Sequence, residues 1–135
     1  IMFAHQHSNI MKNLFILIAV LMGTIASAQD KNIHKLETSV FSDSLKAKKV
    51  QLVDVRTPEE FAAGHIDGAV NINYLDSQAF SNGIQQLDKN QPVYLYCRSG
   101  NRSGKSADTL AVKGFTKIYD LTGGYMGWAE KFGEQ

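Results

Sequence analysis

Cys97 is the single cysteine of the 135-residue chain, and it stands in the run Tyr96-Cys97-Arg98-Ser99-Gly100-Asn101-Arg102-Ser103. A lone thiol forms neither an intramolecular disulfide nor a multi-cysteine zinc or iron–sulfur site, so its chemistry is that of one sulfur atom. The apolar residues before it read as a strand and those after it as a helix, with Gly100 midway through the connection. A loop of this kind curls backbone N–H groups around an anion, and the positive end of the following helix adds to the attraction. Arg98 and Arg102 bring two cations to the same place, which favours the thiolate, the nucleophilic form of cysteine. Cys97 is therefore the candidate nucleophile, and Arg98, Ser99, Gly100, Asn101, Arg102 and Ser103 form the candidate anion-binding loop. A buried structural cysteine is the bland alternative, and two arginines and a glycine are poor company for one.

The elements that must position this loop follow from the hydrophobic pattern. Val40, Phe41 and Leu45 suggest a first helix, and Val50 to Val55 is short and β-branched, as a buried strand should be. Thr57-Pro58-Glu59-Glu60 has threonine at N-cap, proline at N1 and glutamate at N3, a capping box opening a short helix that ends at Gly64. Ala69 to Ile72 reads as a second strand, and Phe80, Ile84 and Leu87 share a helical face that Asp88-Lys89-Asn90 ends. Val93 to Tyr96 is the third strand. Ser103 to Lys113 is a helix with Ala107, Leu110 and Ala111 inward and Gly114 at its end. Lys117 to Asp120 is the fourth strand, Gly123-Gly124 a turn, and Tyr125 to Phe132 a last helix. Strands alternating with helices imply the α/β class, a mostly parallel central sheet flanked by helices. Ligands in such sheets bind beyond the carboxyl ends of strands, where Cys97 stands.

Charge is balanced at 14 Lys+Arg against 13 Asp+Glu with no block of either sign, which excludes a nucleic-acid-binding tail. Met11-Lys12-Asn13, the apolar run Leu14 to Met22, and Ala26-Ser27-Ala28 have the form of a secretory signal with cleavage before Gln29. The run is too short to span a bilayer comfortably, which takes about 20 residues, so no membrane attachment is expected after cleavage. Residues 1–10 read as an upstream segment without function, 11–28 as the cleavable signal, and 29–135 as one exported, periplasmic or secreted domain. Cleavage leaves 107 residues with 13 basic and 13 acidic side chains. One cysteine in an exported chain is unusual, because oxidising compartments favour paired ones.

The stretch Leu52-Val53-Asp54-Val55-Arg56 through Glu60-Phe61, Gly64-His65-Ile66-Asp67-Gly68-Ala69 resembles the first signature of single-domain rhodaneses. Asp120-Leu121-Thr122-Gly123-Gly124-Tyr125-Met126-Gly127-Trp128 is similar to their C-terminal signature, and with Cys97 between them the resemblance covers residues 36–132. It implies a rhodanese-like fold and a sulfurtransferase in which Cys97 carries a persulfide. The donor would be a small sulfur-containing anion such as thiosulfate, and the acceptor a thiol, a cyanide-like nucleophile or a protein. It implies no metal and no organic cofactor. Asp54 and Arg56, at a strand end, read as a salt bridge supporting the site, and His65 reads as part of a turn rather than as a base. Trp128 reads as a core or rim aromatic, and Tyr125 stays open between packing and substrate contact.

Two rivals stand beside this reading. Cysteine phosphatases use C-x5-R on a similar loop, whereas here Arg102 is the fifth residue after Cys97, so the loop is one residue shorter. A non-catalytic persulfide carrier or interaction module is the other. Gly100 to Ser106 also mimics a phosphate-binding P-loop, but Ser99 stands where the first glycine is required.

Overall fold

The strand that carries Cys97 sits in the middle of the sheet, and its sequence explains why. Val93, Tyr94, Leu95 and Tyr96 are all buried, as expected where helices cover both faces of a parallel sheet. The computed structural model describes residues 31–47 and 50–135. The expected upstream segment 1–10 and secretory segment 11–28 lie outside the described residues.

Residues Asn32–Gln135 form one compact unit. In chain order the elements are β1 (Ile33–Leu36), α1 (Thr38–Ser44), β2 (Gln51–Asp54), α2 (Pro58–Ala63), β3 (Val70–Asn71), α3 (Ser77–Gln85), β4 (Val93–Tyr96), α4 (Asn101–Val112), β5 (Ile118–Leu121) and α5 (Gly124–Phe132). The sheet order is β1-β5-β4-β2-β3, and every pairing is parallel. The expected α/β architecture is what the chain adopts, with five strands rather than four among the described residues. The fifth is β1, Ile33-His34-Lys35-Leu36, whose two central residues are exposed. It is an edge strand paired only with β5, so it lacks the apolar run that marks a central one.

The period-two alternation of the strands divides the core between the two faces. Val53, Val93, Leu95, Cys97 and Ile118 face Ala107, Leu110 and Ala111 of α4, together with Phe80 and Ile84 of α3. Leu52, Tyr94, Tyr96 and Leu121 face Phe41 of α1 and Trp128 of α5. Trp128 is thus a core aromatic. Of the residues that suggest α1, Val40 is 52% exposed; Phe41 alone of that helix is fully buried. Two cap details differ from expectation as well. α4 starts at Asn101, two residues early, because Gly100 leaves the helical region at φ 121° and serves as N-cap. α5 starts at Gly124, behind Gly123 in the left-handed conformation.

Candidate active site

Cys97 follows the last residue of β4 and is 1% exposed. Its Sγ accepts the Gly100 N–H at 3.0 Å and lies 3.4 Å from Ser103 Oγ. Gly100, the N-cap of α4, offers no side chain to satisfy the first turn, so the orphan N–H groups there are left for a ligand. Arg98, Ser99 and Asn101 are exposed around the rim, and Ser103 is fully buried beneath. Sulfur, loop amides and helix N-terminus therefore converge as the sequence implied.

Three neighbouring segments hold the loop in this shape. The first is α5, whose opening amides bind the loop's carbonyls: Tyr125 N–H donates to Cys97 O at 2.8 Å and Met126 N–H to Arg98 O at 3.1 Å. In a planar trans peptide the N–H points opposite to the C=O, so tying those carbonyls to α5 turns the N–H groups of Arg98 and Ser99 to the other side of the loop. The approach requires glycine. A Cβ on Gly124 would lie 2.5 Å from the backbone C and O of Arg98, and φ there is +58°.

The second support is α2. The capping box is present as expected, with Glu60 N–H donating to Thr57 Oγ1 and Thr57 N–H to Glu60 Oε2. Glu60 does more than cap. Its two oxygens accept Nη1 and Nη2 of Arg102 at 2.7 and 2.9 Å. This fork of hydrogen bonds holds the Glu60 carboxyl well below the ordinary range, at about 2. Arg102 was expected to neutralise a bound anion directly; the structure shows its charge already shared with Glu60, which leaves Arg98 as the uncommitted cation of the pair. Arg98 lines a cleft of about 340 Å³ together with Arg56, Glu60, Tyr125 and Met126.

The third is the Asp54–Arg56 pair. Asp54 is 0% and Arg56 4% exposed. Arg56 donates Nε and Nη2 to the carboxylate, with the shortest contact 2.6 Å, and Nη2 also reaches Gly64 O at 2.7 Å. The pair is the expected salt bridge, and it ties the end of β2 to the turn that closes α2. Tyr125, left open by the sequence, packs its ring 4.3 Å from the Arg56 guanidinium. His65 belongs to the same scaffold, its Nδ1 2.9 Å from Phe61 O and its ring stacked on Phe61 at 3.7 Å.

Sequence reasoning did not single out Glu60 as a partner of the loop, the docking of Tyr125 and Met126 amides, or Asp120. Asp120 is a buried carboxyl of β5 adjoining Ser103. A strand that ends on a charged residue yet packs against a helix was the signal for it.

Comparison with known proteins agrees with this arrangement. The family model described as Rhodanese-like domain matches residues 37–131. The uncharacterized protein YqhL of Bacillus subtilis is 49% identical over 84 residues, covering 62% of this chain, which spans 64% of the length of YqhL. The thiosulfate sulfurtransferase GlpE of Shewanella oneidensis is 39% identical over 85 residues, covering 63% of this chain and 81% of GlpE. Among solved structures, a rhodanese-related protein from Thermoplasma volcanium superposes with TM-score 0.65 at 25% identity over 73% of this chain and 93% of its own. A rhodanese-like domain protein from Staphylococcus aureus does so with TM-score 0.62 at 32% identity, over 70% and 89% respectively. With its ordered signatures, its all-parallel sheet and its cysteine at the end of the central strand, the chain belongs to the rhodanese-like family.

Proposed function

We propose that the protein is a sulfurtransferase that moves sulfane sulfur from a small anionic donor to a nucleophilic acceptor through a persulfide on Cys97. The observation that carries the reading is the sulfur itself, held at 3.0 Å from the Gly100 amide under an uncapped helix N-terminus. With thiosulfate as donor, the Cys97 thiolate attacks the outer sulfur. A new S–S bond forms to Cys97, the bond to the sulfonate sulfur breaks, and sulfite leaves with the electron pair. A thiol, cyanide or protein nucleophile then attacks the outer sulfur of the persulfide and returns the thiolate. Loop amides and Arg98 stabilise the negative charge on donor and persulfide. The name of the Shewanella relative supports thiosulfate as donor.

A phosphatase reading is weaker, because the arginine that would clasp a phosphate is the one engaged by Glu60. The discriminating experiment offers the protein thiosulfate with cyanide, or an aryl phosphate, beside a Cys97→Ser control. Thiocyanate formation, and an intact-mass gain of one sulfur atom after thiosulfate that cyanide removes, are expected only with Cys97 present. Aryl phosphate turnover without a sulfur adduct would overturn the proposal, a sulfur adduct that no acceptor removes would favour a persulfide carrier, and an unreactive Cys97 would favour an interaction module. Export is part of the same proposal, resting on the signal-like segment 11–28. N-terminal sequencing of protein recovered outside the cytoplasm should begin at Gln29.

A further inference from the structure

We infer that Asp120 is a positioning residue for Cys97, holding through Ser103 the proton that the thiol gives up. The inference rests on Cys97 being the reactive group of the proposed function. Asp120 occupies a position on β5 where a core strand would carry an apolar residue. It pairs in register with Leu95 of β4 and Lys35 of β1. It is 4% exposed, and its Oδ1 accepts no hydrogen bond. Asp54, the other buried aspartate among the described residues, has Arg56; Asp120 has no arginine partner among them. Burial pushes its carboxyl above the ordinary range, the exposed Asp108 of α4 adds to this, and the Ser103 hydroxyl and Lys35 pull the other way.

Ser103 stands between this carboxyl and the sulfur. It is 0% exposed, its Oγ lies 3.4 Å from Cys97 Sγ and donates to Gly100 O at 3.2 Å, and its hydroxyl is the group that most lowers the pKa of the neighbouring Asp120 carboxyl. The carboxyl lies under the first turn of α4, since a Cβ on Gly104 would be 4.0 Å from Asp120 Oδ2. A hydroxyl both donates and accepts and can turn between partners. The step balances within the three residues. The Cys97 S–H bond breaks and its proton passes to Ser103 Oγ, while the Ser103 O–H bond breaks and its proton passes to the Asp120 carboxylate. A thiol beside a carboxylate becomes a thiolate beside a carboxylic acid, and the core holds one negative charge before and after. Without this exchange, ionising Cys97 would place two anions on one face of the sheet.

The exchange has a signature that packing alone does not produce. The ratio of thiolate–acid to thiol–carboxylate forms is independent of pH, because no proton enters or leaves. Cys97 alkylation by iodoacetamide should therefore change less than about twofold between about pH 5 and about pH 7, whereas a thiol ionising alone gains roughly tenfold per pH unit there. Asp120→Asn and Ser103→Ala should each lose the plateau, and Ser103→Thr, which keeps a hydroxyl, should retain it. A wild-type rate rising tenfold per unit throughout that range would overturn the inference, a test that needs no variant to fold. So would a plateau surviving in a folded Asp120→Asn protein. Because alkylation requires no sulfur donor, a negative thiosulfate assay with the plateau intact would remove the donor assignment and leave the relay standing.

Discussion

Replacing Glu60 with glutamine removes the negative charge facing Arg102 and keeps an oxygen able to accept the Thr57 N–H, so helix capping and ion pairing come apart. The carboxyl is held at about 2 against an ordinary 4.5. At 1.36 kcal/mol per unit such a shift corresponds to roughly 3 kcal/mol. The side chains of Arg102 and Glu60 are 21% and 29% exposed, and solvent screening reduces the figure to about 1–2 kcal/mol. For a domain of this size that is a fall in Tm of about 5–10 °C at neutral pH. The pH dependence carries the sign. A carboxylate whose folded-state pKa is depressed contributes stability above its ordinary 4.5 and loses it as pH falls toward about 2. Chemical denaturation of wild type and Glu60→Gln should therefore show a constant gap from neutral pH down to the ordinary carboxylate range, narrowing below it. An absent gap at neutral pH, or one that stays constant far into acid, would refute the assignment of Glu60 and Arg102 as a clamp.

Gly124→Ala should cost about 2–4 kcal/mol and lower sulfur transfer, since the added methyl meets the backbone of Arg98 and Cys97 at 2.5–2.6 Å; Gly68→Ala, with a positive φ but open space, should cost only about 1–2 kcal/mol and spare activity in the same two assays. Arg56→Met leaves the Asp54 carboxylate buried without its partner, and urea titration should show a loss of about 3–5 kcal/mol. Arg98→Ala should raise KM for thiosulfate several-fold, up to about tenfold, with Tm unchanged, whereas Arg102→Ala should lower Tm as Glu60→Gln does.

What could be read from the sequence was what lies close together in it. The capping box spans four residues and the Cys97 loop seven, and each signals its geometry through local requirements: a threonine oxygen for an amide, a glycine at a left-handed turn. β1 escaped because a four-residue edge strand with His34 and Lys35 in solvent has no burial pattern to display. The Glu60–Arg102 fork joins residues 42 apart, and Glu60 was already accounted for by the cap, so nothing in the chain demanded a second partner. Asp120 closes a strand in the sequence and looks like an ordinary end. Only the α4 side of the sheet, where Ser103 and Gly104 cover it, shows that it is buried.

In the proposed sulfurtransferase the residues that shape the loop and those that would meet the donor are separate, and this separation constrains how the site can fail. Glu60, Arg56 and the α5 amides act on the loop from outside, each from a different element, and none lies on the sulfur. Loss of any one of them should lower stability and reactivity together, because the backbone amides proposed to bind the anion keep their direction only while the loop is held. Arg98 is exposed and carries no intramolecular ion pair among the described residues, so on the proposed function its loss should change donor binding alone. A substitution that weakened thiosulfate use at constant Tm would therefore point to the rim. One that abolished the pH-independent plateau of alkylation in a folded protein would point to the group beneath the sulfur, Ser103 and Asp120.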